Sequence, residues 1–242
     1  MTKRDRIIFI VGILISIGLS VAIILMNVIP QMTIKSSEEI YTDALQNVVE
    51  VKATLGEESE SFGTGVIVDN VGTIITNAHV ITYKQGGEYR EFTEYYIRYA
   101  YEEEYRKVEL EKYDLDLDIA VLRLNDETAK RTTPAKIGNS DKLVAGQKVF
   151  AVGNASNYGI GIFEGIVSVP KLNVKLDEQM RLVIQSDITI SSGNSGGALL
   201  DERGQLIGIT TFRTKDTLGN VVYGIAYSIP INNVLAYVNS SN

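Results

Sequence analysis

The chain predicts an all-β protein preceded by one membrane-spanning helix, and three observations carry that prediction. From Val48 onward, apolar residues fall in short runs separated by Gly, Asp and Asn, the pattern of many brief strands in a barrel or sandwich. Only one later segment, Ile231 to Val238 after Pro230, reads as a helix, whereas a parallel α/β fold would need long helices between its strands. Before all this, Ile7 to Ile29 forms 23 consecutive uncharged residues, enough to cross the roughly 30 Å hydrocarbon core with some tilt.

Taken in order, Lys3, Arg4 and Arg6 precede the apolar stretch, while the segment after it carries Lys35 and Lys52 against an excess of acids. The positive-inside rule then puts a short tail over residues 1–6 in the cytoplasm and everything after Pro30 outside. The alternative is a secreted protein freed by signal-peptide cleavage. That would need a shorter apolar core and a small-residue exit of the Ala-x-Ala kind, and none follows Ile29. Ser36-Ser37-Glu38-Glu39 next offers a helix N-cap with acids in the first turn, with Ile40, Ala44, Leu45 and Val48 at helical spacing, so residues 30–46 read as a linker with a short helix. Strand runs follow at Val48 to Leu55, Gly65 to Val68, Thr73 to Thr76, Ile119 to Leu124, Lys148 to Val152, Gly165 to Val169, Leu182 to Ile184, Leu206 to Thr211 and Val221 to Ser228. Between Thr82 and Tyr113 lie eight of the 13 tyrosines. Alternation over Tyr95 to Tyr101 and Tyr105 to Leu110 reads as a hairpin, either of ordinary strands with one wetted face or of a protruding partner-binding loop.

Composition excludes several classes of function. With no cysteine there is no disulfide, zinc-thiolate site or iron–sulfur cluster, and one histidine makes no cluster for a transition metal. No calcium loop is visible, so neither metal nor cofactor is expected. Removing Lys3, Arg4, Arg6 and Asp5 from the chain's net charge of −7 leaves −9 on the exported part, which argues against a nucleic-acid partner.

The single histidine concentrates the chemistry. His79 lies in Thr76-Asn77-Ala78-His79-Val80, and 116 residues after it Ser195 sits in Gly193-Asn194-Ser195-Gly196-Gly197. A serine hydroxyl attacks an acyl group only when a base takes its proton, and imidazole is the side chain suited to that at neutral pH. The sequence around Ser195 satisfies Gly-x-Ser-x-Gly, but an α/β-hydrolase places its histidine after the serine, and here none follows. The order His, Asp, Ser is that of chymotrypsin-type barrels, where the first two come from one lobe and the serine from the other. Asp118 is the acid of choice over Asp114 and Asp116 because it alone opens the Ile-Ala-Val-Leu strand. Gly193 permits a turn that points the N–H groups of Gly193 and Ser195 into one nest, an oxyanion hole formed by Gly193, Asn194 and Ser195, and Gly196 and Gly197 let a substrate backbone approach.

These motifs together resemble the HtrA (DegP/DegS-like) family of trypsin-fold serine proteases. Thr76 to Val80 matches that family's histidine motif, Asp118-Ile119-Ala120-Val121-Leu122 its aspartate motif, and Ser186-Asp187 with Ile190 to Leu199 its serine motif. Gly63 to Ile67, Gly165 to Ser168 and Tyr223 to Pro230 match in the same order, so the resemblance covers about residues 45 to 240. It implies two six-stranded antiparallel β-barrels and a C-terminal helix: residues 47–133 carrying His79 and Asp118, and residues 134–242 carrying Ser195. It also implies pairing of substrate along Thr210 to Thr214, and a primary pocket lined by Thr189, Thr210, Thr211, Phe212 and Tyr227.

The expected function is therefore a serine endopeptidase, held on the outer face of the membrane by residues 7–29, that cuts misfolded or regulatory polypeptides. By resemblance it assembles as a homo-oligomer, a trimer in particular. The rival expectation is a catalytically idle, membrane-tethered chaperone or scaffold that binds exposed strands. Asn194 stands where trypsin-like zymogens carry an aspartate that pairs with a newly cut N-terminus, so no cleavage-driven ion pair can form there. HtrA proteins usually continue into PDZ domains after the protease, which leaves either a naturally short member or a truncated chain.

Overall fold

A computed structural model describes residues 2–27, 33–124, 132–176, 179–215 and 221–240. The chain divides into two units, residues 1–35 and 36–242. The first holds helix α1 (Lys3–Asn27), in which an 18-residue window within Lys3–Ile24 has a mean hydropathy of 3.0 and no buried residue. Its 25 residues make a rod of about 37 Å, long and apolar enough to cross a membrane.

The second unit opens with α2 (Ser37–Ala44), a helix set by a capping box. The Ser36 hydroxyl accepts the Glu39 N–H at 3.2 Å, and the Glu39 carboxylate accepts the Ser36 N–H at 2.8 Å. Its apolar side buries Ile40 and Ala44, and Tyr41 donates its hydroxyl to the Ile160 carbonyl at 2.7 Å. The expected linker thus contains a helix fastened to the second half of the molecule.

The first barrel comprises β1 (Val48–Leu55), β2 (Ser59–Ile67), β3 (Thr73–Thr76), β6 (Glu94–Tyr99), β7 (Arg106–Asp114) and β8 (Ile119–Leu124), closed in the order β1-β2-β3-β8-β7-β6. After β3 come a single turn of helix, α3 (Ala78–Ile81), and a separate hairpin of β4 (Thr82–Gln85) and β5 (Glu88–Glu91). The second barrel comprises β9 (Lys148–Asn154), β10 (Ile160–Leu176), β11 (Gln179–Ser186), β12 (Ala198–Asp201), β13 (Leu206–Lys215) and β14 (Val221–Pro230), closed as β10-β11-β14-β13-β12-β9 and followed by α4 (Ile231–Val238). The expected pair of six-stranded antiparallel barrels and the closing helix are both present.

Three apolar clusters explain why strands such as β1, β3 and β8 read as continuous apolar runs and not as alternating ones. Val49, Val51, Ile67, Ile74, Ile97 and Leu122 fill the first barrel, and Val149, Ala151, Val167, Ile184 and Leu199 the second. A third cluster collects Val48, Val66, Ile75 and Ile119 from the first barrel and Phe150, Val152, Ala198 and Ile209 from the second, with Ile40 of α2 and Ile231 and Val234 of α4. Neighbouring residues such as Ile74 and Ile75 therefore face different cores, and both faces of the strand are dry.

The tyrosine-rich stretch is mainly barrel wall. Tyr95 and Tyr99 are buried in the first barrel's core, and the predicted hairpin is β6 against β7, with Tyr95 opposite Val108. Arg98 closes two hydrogen bonds, at 2.9 and 2.7 Å, on one carboxylate oxygen of buried Glu50, which also accepts the Tyr105 hydroxyl at 3.2 Å. These tyrosines pack and satisfy a buried acid.

Candidate active site

Asp118, His79 and Ser195 are brought to one place by elements from both barrels. Asp118 ends the four-residue turn between β7 and β8 with a left-handed φ of 57°, and is 2% exposed. Its Oδ1 accepts the backbone N–H of His79 at 3.0 Å, and its two oxygens lie 3.0 and 2.9 Å from imidazole Nδ1. That fixes the imidazole at two points, ring and backbone. The single helical turn α3 presents His79, and Asn77 before it donates its side-chain amide to the Asp118 carbonyl at 2.9 Å.

The nucleophile loop runs between β11 and β12. Gly193 and Gly196 have φ of 91° and 85°. A Cβ on Gly193 would overlap the Asn154 carbonyl oxygen, and one on Gly196 the Thr64 carbonyl and Thr76 hydroxyl oxygens, so both positions demand glycine for conformation and for space. The first barrel holds this loop through Thr64, whose N–H donates to the Ser195 carbonyl at 2.8 Å and whose hydroxyl donates to the Gly193 carbonyl at 2.6 Å. Thr76 in turn donates to the Thr64 carbonyl at 2.7 Å.

Of the three residues expected around an oxyanion hole, Asn194 donates its N–H to the Ser191 carbonyl at 3.1 Å, inside the turn. The N–H groups of Gly193 and Ser195 have no protein acceptor among the described residues. The tight turn that frees its neighbours consumes the Asn194 donor. The Asn194 side chain is 2% exposed, and among the described residues neither its Oδ1 nor its Nδ2 has a hydrogen-bond partner. A neutral amide tolerates that better than a carboxylate would.

The residues expected around a primary pocket separate into different tasks. The Thr211 hydroxyl donates to Asp118 Oδ2 at 2.5 Å, and its carbonyl accepts the Ser195 hydroxyl at 3.1 Å, so Thr211 touches both ends of the constellation. The Thr210 hydroxyl, 2% exposed, donates to the Asn194 carbonyl at 2.5 Å and braces the nucleophile loop. Thr189 is exposed and lines a small cavity of about 10 Å³ with Ile188, Ile190 and Tyr223. Tyr227 is buried on β14 opposite Gln185, and the Phe212 side chain lies outside the described residues. Among the described residues no group of acids and histidine is arranged to hold a metal ion.

The roles of Thr64 and of the Thr211 hydroxyl were not read from the sequence. Gly63-Thr64-Gly65 was visible only as a strand motif, although a hydroxyl between two glycines marks a place where another backbone comes close. Arg181, which approaches the Asp118 turn from β11, gave no sequence signal.

Two barrels that each lend part of a Ser-His-Asp set define a trypsin-like serine peptidase domain. Residues 63–209 match the family model described as "Trypsin-like peptidase domain", and the chain belongs to that family, in its HtrA branch. It is 34% identical over 189 residues to "Serine protease Do-like HtrA" of Lactobacillus helveticus, covering 75% of this chain and 43% of that protein. It is likewise 34% identical over 175 residues to "Probable periplasmic serine endoprotease DegP-like" of Buchnera aphidicola, covering 72% of this chain and 35% of that protein. The solved structure titled "HtrA-type protease AlgW with tripeptide" superposes with a TM-score of 0.72 at 28% identity, over 85% of this chain and 63% of that one. The chain spans less than half the length of these two curated relatives.

Proposed function

We propose that this chain is a serine endopeptidase held in the membrane by residues 7–29, with its peptidase domain on the extracytoplasmic side, acting on misfolded or regulatory polypeptides. The observation that carries the reading is the imidazole of the chain's only histidine, fixed through Nδ1 on buried Asp118 beside a serine in a glycine-built turn. Ser195 attacks the peptide carbonyl, its proton passing to His79 instead of resting on the Thr211 carbonyl. Asp118 keeps the proton on Nδ1, so that Nε2 is the basic nitrogen, and stabilises the imidazolium that forms. The N–H groups of Gly193 and Ser195 receive the oxyanion. His79 then returns the proton to the leaving amine, and water repeats the cycle on the acyl-enzyme.

The basic residues before the apolar helix and the acids after it support an outward-facing domain, and the word "periplasmic" in the DegP-like relative's name agrees with it. A homotrimer is the assembly that the family resemblance favours. A fluorophosphonate probe tests the chemistry on the full chain in detergent. Labelling that vanishes in Ser195→Ala supports the endopeptidase; a folded protein that never labels favours the idle, strand-binding chaperone.

A further inference from the structure

We propose that Arg181 is a positioning residue for the acid of the constellation, a strut from the second barrel that sets the turn carrying Asp118; the inference rests on the role given to Asp118 above. Arg181 lies on β11 and is 8% exposed. Its Nε donates to the Asp116 carbonyl at 2.7 Å and its Nη2 to the Leu115 carbonyl at 2.8 Å. Those two carbonyls belong to the turn that delivers Asp118 with φ 57°, a left-handed conformation that is strained for a non-glycine residue and persists only when its surroundings impose it.

The other bonds act on Asp118 itself: the His79 N–H and Thr211 hydroxyl on its carboxylate, and the Asn77 amide on its carbonyl. Within the turn, the Leu117 N–H donates to Asp114 Oδ1 at 2.9 Å. Arg181 adds a restraint on the chain as it enters the turn from the side of Leu115, beyond the β7–β8 pairing of Asp114 with Ile119. A guanidinium holds two successive carbonyls from one rigid plane, whereas an ammonium is a point donor without that fork. Because β11 belongs to the second barrel and the turn to the first, the strut also ties the acid to the barrel that bears Ser195.

His79 is the only histidine, so its imidazole titration is a single NMR signal in full-length, histidine-labelled protein in detergent micelles. Among the described residues, Tyr89, Asp116, Asp118 and Arg181 are the ionisable groups that share with His79 a cavity of about 190 Å³. Arg181→Lys keeps the positive charge in that set and removes the fork. An oriented carboxylate stabilises imidazolium, so a loosened Asp118 lowers the titration midpoint, while mere loss of a nearby cation would raise it. The expected result is a fall in Arg181→Lys by a third or more of the fall produced by Asp118→Asn. A midpoint that stays at the wild-type value or rises overturns the inference, even if thermal stability drops. Should Arg181→Lys fail to fold, Arg181→Gln makes the same comparison, and there a fall must occur against the effect of the lost charge. If Asp118→Asn itself leaves the midpoint in place, the reading of Asp118 fails first and takes the inference with it.

Discussion

Replacing Thr211 by Val removes one hydrogen bond and little else. The Thr211 hydroxyl donates at 2.5 Å to a carboxylate that is 2% exposed, and valine keeps the shape while offering no donor. A hydrogen bond to a charged group contributes about 1.5–3 kcal/mol, and each 1.4 kcal/mol of lost transition-state stabilisation is tenfold in rate. If Asp118 acts by stabilising the imidazolium, kcat/KM falls by about 10- to 150-fold in Thr211→Val. The Thr211 carbonyl that accepts the Ser195 hydroxyl is backbone, so that contact survives the substitution. Thr211→Ser restores the donor and with it most of the activity. The assay is the second-order rate of fluorophosphonate labelling beside cleavage of an unstructured reporter, with circular dichroism to establish folding. A folded Thr211→Val protein within twofold of wild type would refute the argument that this hydroxyl governs the acid.

Gly196→Ala puts a Cβ onto the Thr64 carbonyl at a φ of 85°, and is expected to lower unfolding stability by about 2–4 kcal/mol and to abolish labelling, measured by urea titration and probe. Asn194→Asp places a carboxylate where the amide has no partner among the described residues, so its folded pKa rises above the unfolded value near 3.9. The variant therefore approaches wild-type stability below about pH 4 and loses several kcal/mol as pH rises toward 7, which paired denaturation curves would detect. Burial first, with Tyr101 next, raises the Tyr99 phenol to about 12. Its contribution to stability is then complete below about pH 10 and disappears between about pH 10 and 12, a loss of about 3 kcal/mol that Tyr99→Phe should not show.

The barrels were legible because β1, β3 and β8 bury both faces, which writes them as unbroken apolar runs, and because Gly, Asp and Asn interrupt those runs. The capping box of α2 and the closing helix after Pro230 were legible for local reasons of the same kind. The hairpin β4–β5 was not: Glu88 to Glu91 are all exposed, so no apolar period marks them as a strand. In the site, the residues that bear the chemistry announced themselves through rarity, one histidine, and through glycines forced by positive φ. The residues that hold them did not. Thr64, Thr211 and Arg181 act across the barrel boundary at sequence separations of 129, 93 and 65 residues, where no local pattern connects donor to acceptor. Asn194 shows the same limit, since only the folded turn reveals that its N–H serves Ser191.

The measurement that bears most directly on the central claim is cleavage of an unfolded reporter such as casein by the full chain in detergent, across about pH 5 to 9, beside Ser195→Ala. The expected result is activity that rises through one ionisation within the range where imidazole changes charge, the sole candidate being His79, and that is absent from Ser195→Ala at every pH. Cleavage that persists in a folded Ser195→Ala protein, or a wild-type rate that does not respond to pH across that range, would contradict it.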